Sequence, residues 1–191
     1  MRRPGRHWSC GRDVIFPFLV ILVLAAGIAP QAGWAEPFSA RATLLRNREF
    51  ADALIQGIRS ARSSVHLCYF IFKTTDARGN FPRRIVEELI RARQRGVDVT
   101  VLLEMERKGS RDSLNSDNRH TAELLTRGGI RVFFDPPDVT THAKVAVIDG
   151  RFVYLGSHNL SQSALQHNNE LSVKLDSPEM ATEVQEYLDR L

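Results

Sequence analysis

The sequence predicts an α/β fold, a layered α/β/α sandwich with a mostly mixed central sheet. Three observations predict it. From residue 41 onward, β-branched apolar runs alternate with segments whose apolar residues recur at helical spacing. Val65 to Phe72 is apolar almost throughout, as a strand covered on both faces is. Asp149-Gly150 separates two β-branched and aromatic runs, the strongest short-range hairpin signal. A type I′ turn needs positive φ at both central positions, and this pair tolerates it.

The elements follow in order. Arg41 to Leu45 reads as a short strand. Glu49 to Arg62 carries Phe50, Ala53, Leu54 and Ile58 on one helical face. Val65 to Phe72 is the buried strand. Phe81 to Arg95 is an amphipathic helix with Ile85, Val86, Leu89 and Ile90 inward, closed by Gly96. Val97 to Leu103 is the next strand. Glu104 to His120 is polar and reads as a loop. Ala122 to Arg127 belongs to another helix, ended by Gly128-Gly129, and Ile130 to Phe134 is a strand stopped by Pro136-Pro137. After the hairpin, Glu170 to Leu175 alternates polar and apolar residues. Ser177-Pro178 is an N-cap and first-turn pair that opens a final helix to Leu191.

The hairpin carries the chemistry. With a two-residue turn, Ile148 faces Arg151, Val153 faces Ala146, Leu155 faces Lys144 and Ser157 faces His142. Residues two apart share a face, so His142, Lys144 and Ser157 crowd onto one patch, and Asn159 extends it by a step. An imidazole, an ammonium, a hydroxyl and an amide together make an anion site that contains a nucleophile. Neutral imidazole attacks phosphorus, and an ordinary histidine is mostly neutral at pH 7. Lys144 supplies charge for phosphoryl oxygens, while Ser157 and Asn159 supply neutral donors. The bland alternative is a half-buried hairpin whose polar ends face water. Four convergent polar groups favour the site.

These residues carry a resemblance. His-x-Lys, four residues, Asp, six residues, Gly-Ser-x-Asn is the signature of the phospholipase D superfamily. His142, Lys144, Asp149, Gly156, Ser157 and Asn159 match it without a gap. Glu170 matches an acidic residue that members carry shortly downstream. The single motif and short length are similar to the bacterial endonuclease branch and the mitochondrial cardiolipin hydrolase-like members. The resemblance implies a phospholipase D-like fold over residues 36–191. It makes His142, Lys144, Asn159, Asp149 and Glu170 the catalytic set and Gly156 and Ser157 substrate-binding positions. Read from the hairpin alone, Asp149 is a turn residue facing away from His142, and the resemblance agrees that its role is more structural than chemical. Glu170 is expected to accept a bond from the far nitrogen of His142 and fix its tautomer.

Residues 1–35 are expected to lie outside the fold, as a signal peptide or an N-terminal anchor. Arg2, Arg3, Arg6 and Arg12 precede an uncharged, mostly apolar run from Val14 to Ala29, and Gly33 and Ala35 suit cleavage before Glu36. The run is shorter than the ~20 residues of a usual membrane span. Either reading exports the domain, most simply to a bacterial periplasm. Residues 1–35 hold four Arg and one Asp, which leaves 22 basic against 21 acidic residues beyond them. Bulk charge therefore gives no argument for nucleic-acid binding, which would need a local basic surface. Cys68 is the one cysteine beyond the leader, so no intrachain disulfide forms there, and no zinc spacing is present.

The remaining candidates divide. His158 alternates to the opposite face from Ser157 and Asn159, which favours a non-catalytic role. His66 reads as a core or edge histidine, and His120 and His167 as loop residues. Arg107, Lys108, Arg111 and Arg119 could contact phosphates beside the scissile one, or could belong to a solvated loop with Glu104, Glu106, Asp112 and Asp117. Arg83, Arg84, Arg91, Arg93 and Arg95 share a helix with Glu87 and Glu88, a charged outer face.

One catalytic histidine is too few for displacement at phosphorus, which needs a nucleophile and an acid for the leaving oxygen. A two-fold homodimer would supply the second, as the resemblance also implies. The expectation is a phosphodiesterase that needs no metal and no cofactor and passes through a phosphohistidine. The leading substrate is DNA or RNA, cut as a non-specific endonuclease. The runner-up is a phospholipid, and a third reading is a silent nucleic-acid-binding module, against which the complete motif argues.

Overall fold

The computed structural model describes residues 37–105, 112–136 and 138–191. The expected leader, Arg107, Lys108, Arg111 and Pro137 lie outside the described residues. Residues 37–191 form one compact unit built on a seven-stranded sheet. The strands are β1 (Arg41–Arg46), β2 (Ser64–Tyr69), β3 (Asp98–Leu103), β4 (Arg131–Phe134), β5 (Lys144–Ile148), β6 (Phe152–Gly156) and β7 (Leu171–Asp176). The helices are α1 (Glu49–Ser60), α2 (Phe81–Gln94), α3 (Asp112–Arg127), α4 (Gln162–Gln166) and α5 (Pro178–Leu188).

The spatial order is β1-β7-β6-β5-β2-β3-β4. β2, β3 and β4 are parallel and joined through α2 and α3, whereas β5, β6 and β7 form an antiparallel meander to which β1 adds. The two halves meet where β5 runs antiparallel to β2, Tyr69 opposite Lys144. The sheet is therefore mixed, as the sequence predicts. That meeting puts the carboxyl end of β2, the start of β5 and the end of β6 at one edge, where open α/β sheets hold their ligands.

Alternation along the strands sorts the core into two layers. Val65, Leu67, Tyr69, Val99, Val101, Ala146, Ile148 and Tyr154 face α1, α2 and α3. Cys68, Val145, Val147 and Val153 face α5 through Ala181 and Leu188. Each fully buried aliphatic side chain contributes about 1.5–3 kcal/mol. The expected N-cap of α5 is made: the Ser177 hydroxyl accepts from the Met180 N–H at 3.3 Å. Two differences from the sequence reading concern helices. The polar stretch read as a loop up to His120 contains the first turns of α3, and α4 is a short helix the pattern gave no sign of.

A third difference matters more. The turn is as predicted: Asp149 and Gly150 have φ of +55° and +58°, and the Arg151 N–H donates to the Ile148 carbonyl at 3.1 Å. The ladder beyond it is shifted by one residue, with Ile148 opposite Phe152, Val147 opposite Val153 and Val145 opposite Leu155. Arg151 is the extra residue. Its carbonyl accepts from the Ser177 N–H at 3.1 Å, and its guanidinium binds Asp176 at 2.6 and 3.0 Å, so it is drawn toward β7. A one-residue slip exchanges the faces of a strand. Both faces are buried here, so the apolar pattern alone could not choose between the registers.

Candidate active site

His142 sits in the connection between β4 and β5, and the chain is fixed on both sides of it. The Thr141 N–H donates to Glu104 Oε2 at 2.6 Å and to Asp135 Oδ2 at 3.2 Å. The Ala143 carbonyl accepts from the Phe70 N–H at 3.0 Å. The imidazole itself is exposed and leans on Phe70, ring centroids 4.4 Å apart and tilted by 52°. A ring free at its edge on a backbone held at both neighbours is how a nucleophile is presented without being mobile.

Lys144 opens β5 beside it. Its Nζ lies 3.3 Å from His142 Nδ1, donates to the His142 carbonyl at 2.9 Å and stands 5.2 Å above the centre of the Phe70 ring. Burial lowers the Lys144 pKa from the ordinary lysine value, and the nearby Glu170 carboxylate works in the opposite direction. With Nδ1 turned to Lys144, Nε2 is the outward nitrogen of His142.

Asn159 follows β6 and reaches the same edge. The chain after it is tied to the end of β2: the Leu160 N–H donates to the Ile71 carbonyl at 3.0 Å, and the Lys73 N–H to the Leu160 carbonyl at 2.8 Å. The Asn159 Oδ1 is buried and has no hydrogen-bond partner among the described residues. Such an atom costs free energy until a ligand or another group satisfies it.

The remaining motif residues have different tasks. Gly156 is required by close approach, since a Cβ there would lie 2.5 Å from Ser172 Cα and 2.6 Å from the Leu171 carbonyl oxygen. Ser157 does not stand opposite His142 as the two-residue ladder required. The register shift sends it to β7, where its N–H donates to the Leu171 carbonyl at 3.1 Å and its Oγ accepts from the Leu171 N–H at 3.0 Å. The same hydroxyl donates to Glu170 Oε2. Glu170 Oε1 accepts from Asn168 Nδ2 at 3.0 Å. No hydrogen bond joins Glu170 to His142 among the described residues. The structure gives the expected orienting bond to Ser157 instead, and Glu170 acts on the site through its charge beside Lys144.

Asp149 lies at the far end of β5 from His142. Its carboxylate accepts from the Ser63 N–H at 2.8 Å, the Arg62 N–H at 3.0 Å, the Ser64 N–H at 3.1 Å and the Ser63 hydroxyl at 2.9 Å. Burial raises its pKa, but these bonds outweigh burial and leave it below the ordinary aspartate value. It closes the α1–β2 loop, away from the reactive edge. Grouping it with catalytic residues by motif is thus corrected to the structural role the hairpin reading gave it.

His158 is buried, stacked on Phe50 at 4.4 Å, with Nδ1 2.7 Å from Ser172 Oγ and Nε2 2.9 Å from the Asn47 carbonyl. That is a core role. Cys68 is buried, and burial pushes its thiol up to about 12, so it is no nucleophile at neutral pH. His120 lies on α3 and not in a loop. Among the described residues, no group of three or more His, Cys, Asp or Glu is placed to hold a metal ion, and no helix is long and apolar enough to cross a membrane.

Sequence reasoning missed the supports. Asn118 of α3 is fully buried, donates to the Phe70 and Glu104 carbonyls at 2.9 and 3.0 Å, and accepts from the Phe72 N–H at 2.9 Å. Glu104 and Asp135 are buried carboxylates at the ends of β3 and β4. A carboxylate ending an apolar strand at the ligand-binding edge was the available signal.

A mixed sheet with a histidine, a lysine and an asparagine at its reversal edge defines a phospholipase D-like domain. Residues 54–191 match the family described as "Cardiolipin synthase, PLD-like domain". The chain belongs to the phospholipase D superfamily. It is 31% identical over 170 residues to the human mitochondrial cardiolipin hydrolase, covering 88% of this chain and 60% of that one. It is 32% identical over 135 residues to a cardiolipin synthase of Oceanobacillus iheyensis, covering 66% of this chain and 26% of that one. The fold matches Nuc, a phospholipase D family member from Salmonella typhimurium, with a TM-score of 0.65 at 21% identity, covering 80% of this chain and 93% of that one.

Proposed function

We propose that the chain is a phosphodiesterase that works without a metal, as a homodimer, through a phosphohistidine, and that its substrate is a DNA or RNA strand. His142 Nε2 attacks phosphorus, forming the P–N bond as the P–O bond to the leaving oxygen breaks. The partner's His142 gives that oxygen its proton. It then takes a proton from water, the hydroxide attacks phosphorus, and the P–N bond returns its electrons to His142. For Nε2 to attack, the ring proton must sit on Nδ1, so Lys144 keeps its bond to the His142 carbonyl and turns its other donors to phosphoryl oxygens. Asn159 offers its amide to the same oxygens. Charge supplied by a lysine from each subunit does the work of a divalent ion.

The observation that supports this reading is the exposed imidazole of His142 on a backbone clamped at Thr141 and Ala143, with Lys144 3.3 Å away. The test is to incubate the purified protein, in EDTA, with single-stranded DNA, duplex DNA, RNA and phospholipid vesicles side by side. Quenching a labelled DNA substrate in alkaline detergent, where the P–N bond survives, should trap label on wild type and not on His142→Ala, and sedimentation should give a dimer. Turnover that survives His142→Ala, or that stops with EDTA, overturns the scheme.

A phospholipid headgroup is the second reading. Val139, three residues before His142, is 74% exposed, and Leu171, beside Glu170, is 55% exposed; exposed apolar side chains this near in sequence to site residues suit a bilayer surface. The human and O. iheyensis relatives are both named for cardiolipin. Cleavage confined to the vesicles would select this reading. Residues 1–35 fit it as an anchor and fit the nuclease reading as a secretion signal to the periplasm.

A further inference from the structure

The reactive edge continues into a cleft between the β2–α2 connection and α4. Its walls are extensions of the two site strands. Ile71 follows Phe70, the ring under His142, and Ser161 comes two residues after Asn159. A parallel bridge between Phe72 and Leu160 locks the walls together, so site and cleft share one frame. The cleft has a volume of about 560 Å³, within the range of small-ligand sites. It is built and not loose. Gln162 Oε1 accepts from the Phe81 N–H at 2.8 Å, tying α4 to the start of α2, and Thr74 is buried against Thr121.

Its charges are few and one is uncommitted. Lys73 Nζ pairs with Asp117 at 2.9 Å and leaves about half of its side chain to solvent. Arg78 is exposed on the rim and has no ion-pair partner among the described residues. Thr75, Ser161 and Ser163 line the same space; the Ser161 hydroxyl caps α4 by accepting from the Ala164 N–H at 3.2 Å, and the Ser163 hydroxyl donates to Asn168 Oδ1 at 2.6 Å. A guanidinium, an ammonium steadied by a carboxylate, and neutral hydroxyls suit a phosphodiester with its sugar. A lipid tail would leave the Arg78 guanidinium without an anion.

We infer that this cleft is the subsite for the nucleotide next to the scissile phosphate of a single strand, with Lys73 and Arg78 holding that nucleotide's phosphate. The inference rests on the nuclease reading of the site. Lys73 reaches the phosphate from β2's continuation, and Arg78 closes over it from the rim.

The test compares two substrates on wild type, Arg78→Ala, Arg78→Lys and the Lys73→Ala/Arg78→Ala pair. One is bis(p-nitrophenyl) phosphate, which has a single phosphodiester. The other is a labelled single-stranded oligonucleotide. The double variant should raise KM on the oligonucleotide by about tenfold with kcat unchanged. KM on the small diester should not move, and Arg78→Lys should recover most of the loss. The dependence of log KM on log salt should flatten by about 0.7 for each phosphate that the variant no longer neutralises. A double variant that changes both substrates in proportion, or neither, overturns the subsite while wild-type cutting of the oligonucleotide leaves the nuclease reading standing. Wild type that cuts the small diester but not the oligonucleotide overturns both together.

Discussion

The backbone N–H of Thr141 donates to the buried carboxylate of Glu104 at 2.6 Å, one residue before the candidate nucleophile. β3 thereby holds the loop that carries His142. Glu104→Ala should leave that N–H with only the longer bond to Asp135 and cost about 1–3 kcal/mol of stability. It should lower kcat on bis(p-nitrophenyl) phosphate, whereas Glu104→Gln, which keeps an acceptor, should lose much less. Urea denaturation with parallel kinetics checks both.

His142→Asn should abolish turnover yet hold the melting temperature within a few degrees, because the ring is exposed and lies outside the core. Mixing His142→Asn with wild type should give heterodimers with neither the full nor the half activity expected of independent subunits. A strictly proportional loss across mixing ratios would count against a shared site.

In the proposed mechanism the ammonium form of Lys144 binds phosphoryl oxygens, so the rate should fall as pH rises through its pKa. Burial places that limb below the ordinary lysine value of 10.5. The Glu170 carboxylate holds the pKa up against burial. Glu170→Gln should therefore move the alkaline limb of the pH–rate profile to still lower pH. An unmoved limb would separate Glu170 from Lys144.

Asp149→Asn keeps a residue that tolerates positive φ but removes the charge that gathers Arg62, Ser63 and Ser64. It should lower stability and leave kcat untouched. The native pKa of Asp149 is depressed, so its stabilisation is fully present above the unfolded value of ~3.9 and is lost as pH falls through the lower native value. The stability gap between wild type and variant should be widest near neutral pH and close in acid.

Most elements were legible because each carries a single dominant period, 3.6 in α1 and α2 and a continuous apolar run in β2. The hairpin turn was legible in Asp149-Gly150, but its ladder was not. Arg151 is pulled out by Ser177 and Asp176, more than twenty residues away, and no local pattern records that. The same slip carried Ser157 from His142 to Leu171 and with it the bond to Glu170. His142, Lys144 and Asn159 were readable from their types and spacing. Glu104, Asp135 and Asn118 were not, because their partners come from other strands and helices, and the alternation of β3 says only that Glu104 ends it.

The seam between β2 and β5 divides labour along the chain. Lys144 and Asn159 come from the meander and His142 from the connection leading into it, whereas Phe70 beneath the imidazole and Glu104, which holds Thr141, come from the crossover half. Bonds that stitch the halves at that edge include Phe70 to Ala143, Leu160 to Ile71 and Lys73, Thr141 to Glu104 and Phe81 to Gln162. The exposed residues 76–79 of the β2–α2 connection lie outside these bonds, so exchanges there would alter the rim of the cleft while the imidazole and its ammonium neighbour keep their places.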